Sequence, residues 1–316
     1  MRKGRRECFW VLGFSVLFCM LCFSTSYALS LSKSLSGTFP LPPGLEDRVK
    51  FWKKIFTEYT SRQIVFHDAD HLDVIYDVVD FQNLFGGREI SATIKNREVK
   101  RIKSTYRNLL RLMARKDLNP VSLSKKEYEL YLKFQELGRK SLLRAPGNIR
   151  TQWGLGDKFL EGLVISGRYM DEMKSILRKH GLPEGLIALP YIESSFDYRA
   201  YSKRRAAGVW QFIPSTGRLF LKISRTVDER LDPLMATEAA AKLLKQNYES
   251  LGNWPLAITA YNYGRHGMLR AVKRTGSRNL AEIIERYRGR NFKFASKNFY
   301  VEFLAALEIV KDYEDY

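Results

Sequence analysis

Beyond Ala145-Pro146-Gly147 this 316-residue chain offers almost nothing but helix-forming text, and that uniformity is the tightest constraint on its fold. Tyr169, Met173, Ile176 and Leu177 recur at the spacing of one helix face, and Gly181 follows as a C-terminal cap. Thr237 stands where a cap would open a second helix, with Ala240, Leu244, Asn247 and Leu251 as its stripe and Gly252 as its stop. Pro255 suits the first turn of a third helix, which ends at Gly264. Hydrophobic residues make up 45% of the chain, enough for a sizeable core. The fold class expected is mainly α.

The text before Ala145 is more mixed. Phe51, Trp52, Ile55, Phe56 and Tyr59 fall at helical spacing within Arg48–Tyr59. Ile64–His67 and Val74–Phe81 are short β-branched and aromatic runs around a polar turn, the pattern of a β-hairpin. Helices are expected over Glu98–Ala114 and Lys125–Leu137. The first would gather Lys100, Lys103, Arg107 and Arg111 on one face, as a solvated surface or a contact for a polyanion. His67-Asp68-Ala69-Asp70-His71 has the residue types of a metal site, but aspartates are also ordinary turn material and no helix aligns the two histidines. No metal and no cofactor is assigned.

Arg2, Lys3, Arg5 and Arg6, the apolar stretch Phe9–Phe23 and Ser26-Tyr27-Ala28 together read as an export signal over residues 1–28. The apolar stretch falls short of the roughly 20 residues that span a bilayer. Cleavage is therefore expected, with an uncleaved N-terminal anchor as the alternative. Residues 29–44, rich in Ser, Pro and Gly, read as a linker. Residues 45–150 form a basic N-terminal region of unassigned role, and 151–316 the helical domain. All three cysteines lie in the signal, so the exported chain has no thiol for a disulfide or a metal. Losing the signal removes four of 53 Lys and Arg and one of 34 Asp and Glu, which takes the net charge from +19 to +16. An exported protein this basic favours an anionic cell-envelope partner over nucleic acid.

The chemistry centres on Glu193, which ends the apolar run Leu186–Ile192. A carboxyl group held among apolar neighbours loses hydration and stays protonated to higher pH, as a general acid requires. Fifteen residues later comes Gly208-Val209-Trp210-Gln211-Phe212-Ile213-Pro214, and further on Ala260-Tyr261-Asn262-Tyr263-Gly264. A glutamate with Gln, Asn and several Tyr is a sugar-binding composition, because rings stack on pyranose faces and neutral amides pair with hydroxyl and N-acetyl groups. Taken singly, Gln211 and Asn262 read equally well as capping or turn amides.

Gly181-Leu182-Pro183, Leu189-Pro190, Glu193-Ser194-Ser195-Phe196 and Ala207-Gly208-Val209-Trp210-Gln211-Phe212 form an ordered set with Pro214-Ser215-Thr216, Asp228-Glu229-Arg230, Asp232-Pro233 and Ala260-Tyr261-Asn262-Tyr263-Gly264. The set resembles the lytic murein transglycosylases that share the goose-type lysozyme fold, nearest the membrane-bound murein transglycosylase D branch. The resemblance implies a lysozyme-like catalytic domain with Glu193 as its single acid and base. It implies substrate-binding roles for Ser194, Gln211, Tyr261, Asn262 and Tyr300. Tyr263, Arg265-His266 and Ser296-Lys297-Asn298 depart from the family pattern, the last removing a carboxylate from the cleft edge.

An ordinary glycosidase places two carboxyl groups across the scissile bond. No Asp or Glu occurs from Tyr198 to Val227. What the resemblance implies is a lyase acting on peptidoglycan glycan strands, one glutamate serving first as acid and then as base. The partners expected are those strands and, through the basic N-terminal region, envelope proteins or an anionic surface. A lysozyme that hydrolyses the same bond and a non-catalytic wall-binding scaffold are the alternatives.

Overall fold

The computed structural model describes residues 37–88 and 90–314. The export signal and the first part of the linker lie outside the described residues. Pro42 onward forms a compact unit separate from the residues before it, and the rest of the description concerns that unit.

Fourteen α-helices and three strands occur among the described residues: α1 (Glu46–Thr57), β1 (Gln63–Asp68), β2 (Ile75–Asp80), α2 (Phe81–Leu84), α3 (Ala92–Met113), α4 (Lys125–Leu137), α5 (Arg139–Asn148) and β3 (Ile149–Trp153). The helical remainder comprises α6 (Gly156–Ser166), α7 (Met170–Lys179), α8 (Leu189–Ser194), α9 (Pro214–Gly217), α10 (Pro233–Leu251), α11 (Trp254–Tyr263), α12 (Arg265–Thr275), α13 (Leu280–Arg286) and α14 (Phe294–Glu314). The mainly α class is as expected, and β1 and β2 form the expected antiparallel hairpin, with a register shift between Phe66 and His67. The third strand was not expected. β3 pairs antiparallel with the other side of β1, giving the order β2-β1-β3.

Several local expectations are corrected. The boundary read at Ala145-Pro146-Gly147 falls inside α5, which runs on to Asn148. Thr237 is not a cap. α10 begins four residues earlier, with the Asp232 carboxylate accepting the N–H groups of Leu234 and Met235, and the Thr237 hydroxyl turns back to the Pro233 carbonyl. α3 starts at Ala92 because Ser91 caps it, six residues ahead of the expected Glu98.

One face of the sheet packs Ile64, Phe66 and Tyr76 against Ile102 and Leu110 of α3, Leu130 and Phe134 of α4, and Leu142 of α5. α1 belongs elsewhere. It lies against α14 and α6, burying Val49, Phe51, Trp52, Ile55 and Phe56. The stretch Gln63–Trp153 thus forms a small α/β lobe, while the helix before it is built into the helical body.

Ile55 is fully buried. Ile55→Ala should therefore destabilise the helical body by about 2–5 kcal/mol. Thermal unfolding followed by helical circular dichroism should show the main transition moving down as a whole; an unmoved main transition would mean that α1 is not part of that body.

Candidate active site

The apolar run ahead of Glu193 is not one continuous helix. A 3₁₀ turn over Glu184–Ala188 hands over to α8, with Pro190 in its first turn, where the missing N–H costs nothing. α8 is ended by two successive left-handed residues, Ser195 (φ 51°) and Phe196 (φ 60°). Their N–H groups donate to the carbonyls of Tyr191 (3.0 Å) and Pro190 (3.2 Å). Left-handed backbone is uncommon for residues with a β-carbon. Burial offsets the strain here: the Phe196 ring is fully buried, 4.7 Å from that of Tyr191. The turn also needs Gly162 on α6, because a β-carbon there would stand 2.6 Å from the Ser195 carbonyl oxygen.

Glu193 is half-buried and makes no hydrogen bond or ion pair among the described residues. Loss of hydration pushes its carboxyl up to about 8, so it holds its proton at neutral pH. The acid in an apolar run is the feature the sequence picked out.

The opposite wall comes from the irregular segment Tyr201–Ile213. Gly208 (φ 74°) passes so close to the Arg230 carbonyl that no β-carbon fits. Arg230 is nearly buried and works as a clamp. Its Nη1 donates to the carbonyls of Arg205 (2.7 Å) and Phe212 (2.9 Å), while Nε and Nη2 grip the Asp228 carboxylate at 2.8 and 2.6 Å. That pairing holds the Asp228 carboxyl below its ordinary range. Trp210 adds a second anchor, its indole N–H donating to Thr237 at 2.8 Å. Gln211 sits at φ 48° with its amide nitrogen donating to Gly208 (2.9 Å) and Ala200 (3.3 Å). Its side-chain oxygen is left as the acceptor.

The third wall is the last turn of α11. The Tyr261 hydroxyl donates to the Trp210 carbonyl at 2.8 Å, and burial followed by the Glu193 charge raises its pKa well above the ordinary value. Asn262 is exposed, with its side-chain oxygen accepting from Ser296 at 2.8 Å.

Glu193, Gln211, Tyr261 and Asn262 line one open cavity of about 430 Å³, together with Arg204 and Tyr263. Ser194 and Tyr300 are not on its wall. The Ser194 hydroxyl donates to the Val209 carbonyl at 3.1 Å, tying α8 to the opposite wall, and Tyr300 is buried on α14 with its ring 6.0 Å from Phe303. Of the residues that depart from the family pattern, Ser296 joins the site through Asn262, while Arg265 donates to Gln246 at 3.1 Å.

Sequence reasoning missed Glu302. Half-buried on α14, it makes no hydrogen bond or ion pair among the described residues, and burial together with the Glu193 charge pushes its carboxyl up to about 8. It does not line the cavity. The signal that exposed Glu193 was present here too, since Glu302 interrupts the apolar text Tyr300-Val301 and Phe303–Ala306. His67 and His71 do not converge on a common point. His67 is fully buried and pushed down to about 4 by burial, while His71 turns to the Ser141 hydroxyl at 3.2 Å. Among the described residues no cluster of three or more His, Cys, Asp or Glu could hold a metal ion.

Residues 172–284 match the family described as the transglycosylase SLT domain. The matched segment covers 113 residues, about a third of the chain. It contains Glu193, Ser194, Gln211, Tyr261 and Asn262, and Tyr300 lies beyond it. Membrane-bound lytic murein transglycosylase D of Escherichia coli is 39% identical over 112 residues, covering 35% of this chain and 25% of that relative. The chain thus spans about a quarter of the length of that curated relative. Two solved structures are also similar. An inactive variant of the lytic transglycosylase Slt from Pseudomonas aeruginosa shows 22% identity and a TM-score of 0.39, covering 46% of this chain and 24% of that one. The 70 kDa soluble lytic transglycosylase of Escherichia coli shows 13% identity and a TM-score of 0.40, covering 84% and 51%.

A carboxyl raised from 4.5 to about 8 on folding binds its proton more tightly folded than unfolded. Its contribution to stability is complete below pH 4.5 and is lost as pH rises towards 8. Glu193→Gln removes that titration and also the charge felt by Glu302. The variant should therefore gain on the parent in melting temperature from pH 5 to about 8 and then level off. A difference independent of pH would contradict a buried, unpaired acid.

Proposed function

We propose that the protein is a peptidoglycan lytic transglycosylase, cleaving the β-1,4 bond between N-acetylmuramic acid and N-acetylglucosamine to leave 1,6-anhydromuramoyl ends. The observation that carries this reading is Glu193, an acid kept protonated by burial on the wall of a sugar-sized cavity it shares with Gln211, Tyr261 and Asn262. The SLT match over the same residues and a relative named as a lytic murein transglycosylase support it.

In the first step Glu193 donates its proton to the glycosidic oxygen as that bond breaks. The substrate's own N-acetyl oxygen stabilises C1, with the side chains of Gln211 and Asn262 orienting that group. In the second step the carboxylate takes the proton of the muramoyl C6 hydroxyl as its oxygen closes onto C1. No water is consumed, and the tethered hydroxyl replaces the nucleophile of a second carboxylate. Glu302 does not supply that second group, because it stands off the cavity. Its own carboxyl is held protonated by burial and by the Glu193 charge. Ser194 and Tyr300 act as positioning residues, the first by fixing α8 to the Val209 backbone and the second by packing α14. Action on peptidoglycan places the protein in the cell envelope, in keeping with a relative named membrane-bound. No helix among the described residues is long and apolar enough to cross a membrane, and export or anchoring through residues 1–28 remains part of the proposal.

Murein digested with the purified protein should yield anhydro ends by mass spectrometry; reducing ends would assign hydrolysis instead. Glu193→Gln should abolish release while preserving the circular dichroism spectrum. Gly162→Ala, which pushes on the Ser195 carbonyl without touching the cavity, should slow release by up to about a hundredfold through displacement of Glu193. Full activity in that variant would remove the close approach from the account of the site.

A further inference from the structure

The basic N-terminal region carries an unneutralised group of cations that leads to the cavity rim. Three cations of the small lobe are ion-paired: Arg101 with Glu98, Lys126 with Asp77 and Arg115 with Asp117. Lys103 and Arg107 on α3, Arg150 on β3 and Lys297 on α14 are different. All but Arg150 are half-buried, and none of the four has an ion-pair partner among the described residues. The expected basic face of α3 is therefore not uniform. Lys100 and Arg111 point to solvent, whereas Arg107 turns in, donating to the Pro146 carbonyl at 3.3 Å.

Lys103 sits within repelling distance of Arg150 and Arg107, and Lys297 within that of Arg288 and Arg48. Burial, then Arg150 and Arg107, lowers the Lys103 pKa; burial, Arg288 and Arg48 lower that of Lys297, against Asp70, which raises it. A chain of contacts connects the group to the cavity. The Arg150 guanidinium lies 4.1 Å from the centre of the Phe294 ring. Two residues further along α14, Ser296 donates to Asn262 on the cavity wall, and Lys297 follows. Arg48 joins the same turn, donating to Asn298 at 2.8 Å and to the Asp70 carbonyl at 3.1 Å. Gathering partly dehydrated like charges costs free energy, and an anion placed among them recovers it.

We propose that Lys103, Arg107, Arg150 and Lys297 form a docking track for the carboxylates of the peptide stems on the glycan strand being cut. The occupant follows from charge and continuity: the track starts beside Asn262, and in a strand lying in the cavity the nearest anionic groups are those of its own stems. The inference rests on the function proposed above, and binding separates the two.

Un-cross-linked soluble glycan strands, with their stems and after amidase removal of them, are titrated into the full chain carrying Glu193→Gln, which holds strands uncut. Stem-bearing strands should bind about tenfold more tightly than stripped ones, and 0.5 M salt should erase the difference. Adding Lys103→Gln and Arg150→Gln should abolish the preference for stems while leaving the affinity for stripped strands and the melting temperature unchanged. Equal affinity of the Glu193→Gln protein for the two strands overturns the proposal. So does an equal loss on both strands in the charge variant, which would mark a structural role. Binding of anionic lipid vesicles that disappears in the charge variant, with strand binding unaltered, would give the track to a membrane surface instead. A parent protein that binds stems in this way yet releases no anhydro product would sink the catalytic reading and leave the track standing.

Discussion

The site depends on a column of rings beneath Glu193. Phe56 on α1 stacks at 5.1 Å on Phe159 of α6, Phe159 at 5.1 Å on Tyr191 of α8, and Tyr191 meets Phe196 at 4.7 Å. The Tyr191 hydroxyl is spent on Ser166 at 2.6 Å, so this end of the column is fixed by a hydrogen bond as well as by packing. The column sets the height and direction of a helix of only six residues, too short to hold itself. It also stabilises the two left-handed residues that end it. Glu193 is aimed by its neighbours' rings, and its lack of a hydrogen-bonding partner follows from that, since an apolar support offers none.

The opposite wall is built on the reverse principle. The Tyr201–Ile213 segment buries Ala207, Val209, Trp210 and Phe212 but forms only isolated β-bridges, so its backbone carbonyls are collected by side-chain donors as well. Arg230 takes those of Arg205 and Phe212, Tyr261 that of Trp210, Ser194 that of Val209 and Gln211 those of Gly208 and Ala200. Buried carbonyls left without such donors would each cost on the order of 1–3 kcal/mol. An apolar support under the acid and a polar lacing under the binding wall give one side a raised pKa and the other a fixed array of amides. The proposed general-acid cleavage of a glycan strand calls for that division of labour.

Helix positions were legible wherever a stripe and a stop coincided, as in α7, α10 and α11, and so was the acid, because its apolar flank is local in sequence. Three things were not. β3 has only five residues and no clean alternation, so nothing marks Ile149–Trp153 until β1 is in place to pair with it. Thr237 has the chemistry of a cap, but Asp232 outcompetes it and frees the hydroxyl for Trp210. Membership of the cavity depends on side-chain direction at a turn, so the sequence could bring Ser194 and Gln211 equally close to Glu193 while only Gln211 reaches the wall.

Glu302 carries the same lesson into the electrostatics. From Tyr198 to Val227 the chain has no acid, which left Glu193 looking solitary; the second carboxyl arrives from more than a hundred residues away, on a helix that packs against both α8 and α11. The Glu193 charge opposes ionisation of Glu302, so the second carboxyl keeps its proton when the first gives one up. Proton loss from Glu193 is opposed in the resting site by its burial, and in the proposed cycle the same burial favours its taking a proton back from the C6 hydroxyl. Glu302, held neutral and off the cavity wall, adds no second charge to the site in either half of that cycle.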